Sequence, residues 1–544
     1  MFLGVWGLLG RISDSVRGIM ALNLTGSDGG GGEGVPGSVD LLGRYEINTG
    51  EPLPAYDTTP GVAYSAINHP DPESQIFALI CDPKLPPRGD MVAEMGAIDN
   101  PSLMRPLDWG VVDWPPEGRR CPVIIYQRPG GSRVMPSLRD TITPMSEEDV
   151  TRKVIMPMVR VIEDLKAAGL VHRAIRPDNL FWDDAEQNRI VLGDGLCTPP
   201  GAAQPVAYET IQCGMAMPSG RGPGTDANDV YALGVTILAL LTGQSPCQGM
   251  SDDQVIREKL AHGSYVALVG NQRISLTMLE VLRGLFCDDP KDLWGIDDLN
   301  YWSSGRRQNP TQATTPRKVP RAFNFAGEDY ATLRELSYAF STNWSQAAET
   351  IRDGSLDLWL RRVIGDEELI DAVNDAVAPM VGIEVSDDYL VSRVCVALDP
   401  NTPLRYRDFR ATVGGLGTAL CVALMEGDDG AAYGRIIREG LIDFWFSRQR
   451  VPVESERLFA ADHENFRINM ERPGLGLGTE RVAYDLNPNM PCLSPIFSDD
   501  FVVDASDLPA AYERLAARGG EGIKNLVDAQ VAAFFSSRYS GQLT

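Results

Sequence analysis

The sequence predicts an α+β chain in two folded parts, a mixed strand and helix domain over residues 41–308 and an α-helical domain over residues 323–544. Three observations carry that prediction. Short motifs between Arg44 and Trp294 alternate strand-like apolar runs with segments of helical spacing. A ten-residue segment of the second part recurs once, at an offset of 86 residues. Two stretches of linker composition, 25–40 and 309–322, set the parts off from each other and from the N-terminal segment. A chain of 544 residues with 43% hydrophobic content is long enough for more than one core and too apolar for wholesale disorder.

Residues 1–24 are predicted to form an amphipathic helix. Phe2, Val5, Trp6, Leu9, Ile12, Val16, Ile19 and Met20 fall within an arc of about 140°, with Arg11, Asp14, Ser15 and Gly18 opposite. The segment lacks the basic start and continuous apolar run of a secretory signal. Its apolar face has three readings: docking in a partner's groove, peripheral contact with a membrane surface, or packing on its own domain. The run Gly26 to Gly34 behind it reads as a flexible tether.

In the 41–308 domain, Val150 to Leu170 spaces Ile155, Met158, Val159, Ile162 and Leu165 as an amphipathic helix. It leads into Val171-His172-Arg173-Ala174-Ile175-Arg176-Pro177-Asp178-Asn179-Leu180. Gly193-Asp194-Gly195-Leu196 follows an apolar run, and Ala207-Tyr208-Glu209 comes soon after. Asp229-Val230-Tyr231-Ala232-Leu233-Gly234 then opens a continuously apolar helix ending near Thr242-Gly243. Leu282-Arg283-Gly284-Leu285-Phe286, Asp288-Asp289-Pro290 and Trp294 close the series. In this order the motifs resemble those of the protein-kinase superfamily: the catalytic loop H-R-D-x-x-x-x-N, the metal-binding D-F-G, A-P-E and the buried central helix. The organisation resembles bacterial serine/threonine-type members more than eukaryotic ones. The resemblance implies a two-lobed domain in which His172 and Arg173 pack the loop and Asp229 receives its backbone amides.

The departures from the family decide the expected chemistry. Ala174 stands where the aspartate that accepts the substrate hydroxyl proton should be, and a methyl group accepts no proton. The glycine loop that brings backbone amides to phosphates is replaced by Thr49-Gly50-Glu51-Pro52-Leu53-Pro54, whose prolines remove donors. The strand lysine becomes Ile80 or, with a one-residue shift, Cys81. Only Lys84 to Asn100 is left for the helix bearing its glutamate partner, with Glu94 as the remnant. The arginine that the family pairs with Glu209 aligns with Leu293, so that ion pair is expected to be lost. Asn179 and Asp194 remain as candidate magnesium ligands through hard oxygen atoms; in the plainer reading Asn179 bonds loop backbone and Asp194 is a turn aspartate.

A net charge of −25 argues against nucleic acid as a partner. Nine cysteines, Cys81, Cys121, Cys197, Cys213, Cys247, Cys287, Cys395, Cys421 and Cys492, show neither pairing nor C-x-x-C spacing, which points to reduced thiols and a cytoplasmic location. Four scattered histidines give no zinc motif. The linker around 309–322 is the most basic window of the chain, with Arg306, Arg307, Arg317, Lys318 and Arg321.

In the 323–544 domain, Ile351-Arg352-Asp353-Gly354-Ser355-Leu356-Asp357-Leu358-Trp359-Leu360 recurs as Ile437-Arg438-Glu439-Gly440-Leu441-Ile442-Asp443-Phe444-Trp445-Phe446. Each copy follows a predicted helix, Tyr330 to Phe340 and Phe409 to Met425. The simplest account is a duplicated helical unit in which glycine ends one helix and the tryptophan helix packs inward. Residues 450–505 read as long loops, and 508–539 as one or two helices.

These observations lead to the expectation of a catalytically inactive pseudokinase that serves as a scaffold, binding proteins through its helical repeat and its N-terminal helix. No resident cofactor is expected, with ATP and magnesium at Asn179 and Asp194 as the exception to test. The alternative is a kinase-like enzyme that binds metal and nucleotide there, with Asp178 nearby, and performs adenylyl or unusual phosphoryl transfer.

Overall fold

The computed structural model describes residues 37–306, 316, 318–380, 385–449, 465–472, 474–518 and 526–539. The predicted 1–24 helix, residues 25–36 of the tether and most of the basic 309–322 linker lie outside the described residues.

Six strands form the first lobe: β1 (Ser38–Leu41), β2 (Tyr45–Pro52), β3 (Val62–Asn68), β4 (Ile76–Ile80), β5 (Pro106–Trp114) and β6 (Arg119–Gln127). They make one sheet in the order β1-β2-β3-β4-β6-β5, with every neighbouring pair antiparallel. The tether predicted to run to residue 40 therefore gives way to strand at Ser38. Side chains alternate faces along a strand, so the sheet feeds two cores. Ala78 and Ile80 join Leu41, Tyr45, Ile47, Trp114 and Val123 on one side. Phe77, Leu79 and Cys81 point the other way and enter the core of the helical lobe.

That lobe is built around the helix Asp226–Thr242, whose residues from Asp229 to Leu240 are all buried. An apolar surface on every side suits a helix enclosed by its neighbours. Thr225 and Asn228 form its capping box, and Gly243 ends it in the left-handed region at φ 76°. A continuous helical run covers residues 147–167, with a π turn at Val150–Ile155. The hairpin of β7 (Leu180–Trp182) and β8 (Ile190–Leu192) holds the loops at 171–179 and 193–196 side by side.

The C-terminal region is mostly helical and has its own core, running from Phe323 to Phe535. Each copy of the recurring segment sits where glycine in the left-handed region joins two helices, Gly354 at φ 79° and Gly440 at φ 62°. The predicted helix starts are too early: each copy opens with a short hairpin, β9 (Phe323–Phe325) with β10 (Glu328–Tyr330) and β11 (Leu404–Tyr406) with β12 (Phe409–Ala411). Alternating apolar residues in a three-residue strand are too few to separate from helical spacing. Leu356 and Leu360 are buried as expected of an inward face, whereas Trp359 lies at the edge and donates to Arg321 O at 3.1 Å. Trp445 repeats the arrangement, donating to Thr402 O at 3.0 Å. Within the stretch read as loops, Thr479–Leu486 is helical. Among the described residues no helix is long and apolar enough to cross a membrane.

Candidate functional site

The loop at 171–179 is held from below by one carboxylate. Asp229, in the first turn of the central helix, accepts the His172 amide through Oδ2 and the Arg173 amide through Oδ1, both at 2.7 Å. These bonds fix Arg173 at φ 65°, a region that costs a side-chain-bearing residue energy. Burial pushes the Asp229 carboxyl up to about 6, against the pull of the two amides. His172 is fully enclosed, and burial together with the nearby Arg88 charge lowers it to about 3. Its ring is therefore neutral near pH 7, and the 3.1 Å contact of Nε2 with Gly193 O requires Nε2–H to donate.

Asn179 ties this loop to the next one. Its side-chain amide donates to Ala174 O at 2.9 Å and to Asp194 O at 2.7 Å. The Asn179 Oδ1 faces Gly193, where a Cβ would come within 2.3 Å, and it has no hydrogen-bond partner. Asp194 accepts three bonds at Oδ1: from the Tyr126 hydroxyl at 2.5 Å, Leu196 N at 2.9 Å and Cys197 N at 3.2 Å. Burial and the Asp194 charge raise the Tyr126 phenol and the Cys81 and Cys197 thiols, so all three stay protonated around the carboxylate. Ala174 presents only its methyl group, and the Asp178 carboxylate is engaged by Arg176 Nε at 2.9 Å.

The segment from Asp194 to Glu209 is fastened by buried cations. Glu209 does not lack an arginine: with Leu293 in the family's position, Arg173 takes the carboxylate at 3.0 Å, both side chains at most 2% exposed. The partner comes from the catalytic loop itself, 36 residues earlier. Lys259 donates to Val206 O at 3.0 Å, Ala207 O at 3.1 Å and Glu209 O at 2.8 Å, and burial lowers it to about 8. Arg88 joins the two loops by donating to His172 O and Gly195 O, both at 3.0 Å, and to Val171 O at 2.7 Å. Sequence reasoning missed both cations. Lys259 was discoverable, because it falls with Val255, Ile256 and Leu260 on the apolar face of its helix. Arg88 sits among loop prolines and gave no signal.

On the sheet-lobe side of the cleft, β4 carries no lysine. Ile80 faces the other core, so the family's lysine side of the strand is occupied by Phe77, Leu79 and Cys81. Glu94 is exposed, on a helix of five residues, Val92–Gly96. The loop between β2 and β3 folds inward instead of arching over a ligand. Tyr56 stacks on Phe77 of the sheet, with ring centroids 5.0 Å apart, and on Phe181 of the catalytic hairpin at 5.8 Å. Arg133 pins this loop, donating to Ala55 O at 3.0 Å and Asp57 O at 2.6 Å, and it also bonds Asp178 O. Thr58 Oγ1 lies 3.3 Å from Cys197 Sγ. One apolar core thus runs from Phe77, Leu79 and Tyr126 into Leu180, Phe181 and Leu192.

No family model matches the chain. Curated relatives with similar sequence are serine/threonine kinases. A probable kinase MARK-C of Dictyostelium discoideum is 27% identical over 216 residues, 38% of this chain and 26% of that protein. A probable kinase CE0033 of Corynebacterium efficiens is 26% identical over 167 residues, 29% of this chain and 24% of that one. Kinase Pkn1 of Myxococcus xanthus is 33% identical over 120 residues, 20% and 17% of the two chains. The match spans about a quarter or less of these relatives' lengths. Among solved structures, Rad53 1-466 in complex with AMP-PNP aligns over 45% of this chain and 61% of that one, with TM-score 0.36 and 17% identity. Motif order, a sheet lobe on a helical lobe, and sequence relatives together identify a domain of the protein-kinase-like superfamily in this chain.

Proposed function

We propose that the kinase-like domain is catalytically silent and that the chain works as a protein-binding scaffold. The observation that carries this reading is the filled cleft: the half-buried Tyr56 stacks on Phe77 and on Phe181 against a core continuous across both lobes. Phosphoryl transfer rests on positioning and electrostatics, and it needs a base, a phosphate-pairing cation and donors over the phosphates. Ala174 supplies no base, the cleft side of β4 supplies no cation, and Pro52 and Pro54 carry no amide hydrogen. The Asn179 amide nitrogen and Asp194 Oδ1 are committed within the protein, which leaves Asn179 Oδ1 and Asp194 Oδ2 as the oxygens that would hold a magnesium ion. Partners are proteins, met through the C-terminal region and the N-terminal segment. Nine free cysteines, eight of them buried, suit a reducing, cytoplasmic compartment.

One observation favours a metal-nucleotide enzyme of atypical chemistry: Asn179 Oδ1 is buried without a partner beside Asp194. Incubating the full chain with magnesium and ATP labelled at the α or the γ position separates the readings. The scaffold reading expects no label on protein in either case, and none after Ala174→Asp, because Tyr56 still fills the cleft. Label from the α position that disappears with Asp194→Ala would replace the scaffold with an adenylyl transferase.

A further inference from the structure

The C-terminal region touches both lobes of the kinase-like domain. On the helical lobe the contact is backbone to backbone. Met217 N donates to Arg410 O at 2.9 Å, and Thr412 N donates to Gly220 O at 2.8 Å. A Cβ on Gly220 would come within 2.5 Å of Arg410 O, and one on Gly415 within 2.0 Å of Gly220 O. Only glycine permits so close an approach at these positions. The Thr418 hydroxyl adds a bond to Ser219 O at 2.5 Å, and the Tyr338 hydroxyl one to Asp253 at 2.8 Å.

On the sheet lobe the contact is polar and built around one buried carboxylate. Arg120 of β6 donates its amide to Asp499 O at 3.0 Å, and its guanidinium pairs with Asp500 at 3.2 Å. The other oxygen of Asp500 is taken by Arg514 at 2.8 Å, and the aspartate side chain is 5% exposed. Arg518 reaches Asp113 of β5 at 3.6 Å, and Asn489 Nδ2 donates to Asp90 at 2.7 Å. Two places on the first lobe, the cross-strand pair Asp113 and Arg120 and the separate Asp90, are thus tied to residues 489–518.

We propose that residues 489–518 form a strap that holds the sheet lobe down on the helical lobe and so keeps Tyr56 seated in the cleft. The two lobes are joined by the chain after β6 and share the apolar core described above, and residues 489–518 add a polar bridge outside that core. The glycine contact makes the C-terminal region an extension of the helical lobe. The Arg120–Asp500–Arg514 group then fixes the sheet lobe to that extension. A protein that draws residues 489–518 away would release the sheet lobe, so occupancy of the C-terminal region is coupled to the cleft. The proposal rests on the filled cleft described above and is independent of whether the domain transfers phosphate.

Hydrogen exchange followed by mass spectrometry on the full chain tests it, comparing the natural protein with Arg120→Ala/Asp90→Ala/Asp113→Ala. These changes remove the side-chain bonds of the strap on the sheet side, keep the Arg120 amide bond to Asp499 O, and leave the C-terminal core untouched. The expected result is exchange about ten-fold faster in peptides covering Leu53 to Gly61 and Asp194 to Pro200, with the helices Asp226–Thr242 and Leu416–Met425 unchanged. Faster exchange confined to 489–518, with the cleft peptides unmoved, would overturn the proposal and leave those contacts as a local staple. Should the triple variant lose its fold, Asn489→Ala alone removes both bonds between Asn489 and Asp90 and must shift the same cleft peptides in the same direction by a smaller factor; no shift there also overturns it. A cleft that binds nucleotide would contradict the filled-cleft reading without touching the exchange result.

Discussion

Two loops face each other across the cleft of this domain and have diverged by different amounts. The loop at 171–179 lacks the aspartate but keeps its frame: Asp229 holds its amides, Asn179 ties it to Gly193-Asp194, and His172 bonds Gly193 O. The loop at 53–61 has no glycine cradle and packs into the cleft, with Tyr56 half-buried against the core and Arg133 fastening its carbonyls. The difference teaches which parts of the kinase site also build the fold. The frame of the loop at 171–179 is the floor on which the central helix, the Asp194 turn and the Glu209 turn are assembled.

The largest effect should come from the frame. Glu209→Gln leaves Arg173 buried without its counter-ion, and breaking one side of such a pair costs about 3 to 5 kcal/mol. Urea unfolding is expected to show that loss, and Arg173→Met/Glu209→Leu together should lose less than the two single changes summed. A loss under about 1 kcal/mol would mean that the frame is decorative.

The frame also sets an acid response. Folded His172 titrates at about 3 against 6.5 unfolded, so the stability tied to its neutral form is complete above pH 6.5 and is lost as pH falls through 3. Asp229 acts oppositely: folded at about 6 against 3.8 unfolded, it favours the native state most below pH 3.8, and that advantage is lost as pH rises through 6. The discriminating measurement is therefore the difference in slope between the natural protein and His172→Gln from pH 7 to 4. The natural protein is expected to lose stability more steeply on acidification; equal slopes would mean that His172 is not held neutral.

The loop at 53–61 should matter least for stability. Tyr56 is half-buried, and Tyr56→Ala is expected to cost about 1 to 2 kcal/mol in the same urea experiment. Adding nucleotide to that variant should give no recovery, because Ala174 and the lysine-free strand remain. Recovery would sharpen the comparison differently, making that loop the only barrier.

The frame was largely legible in the sequence because it depends on polar residues at fixed spacing: His172, Asn179, Asp194 and Asp229 are recognisable one by one. Their partners across space were not. Glu209 was expected to lack its arginine, since the family's position holds Leu293, and only folding brings Arg173 to it. The register of β4 stayed open between Ile80 and Cys81 because both faces of this strand are buried, which removes the polar alternation that would have fixed it. Tyr56 gave no sign of packing against the core, because a tyrosine among loop prolines carries no periodicity. Tyr330 and residues 409–411, which end the two short hairpins, were read as the starts of helices because three-residue strands are too short to show a period.

Calorimetric titration of magnesium and ATP into the full chain tests the central claim most directly. The expected result is no saturable heat and no rise in Tm at millimolar nucleotide, where a hundred-fold excess over Kd would add about 2.7 kcal/mol to a protein that binds. Saturable binding that disappears with Asp194→Ala would contradict it, showing that the cleft opens to nucleotide and that Asp194 serves a metal and not only the turn it holds.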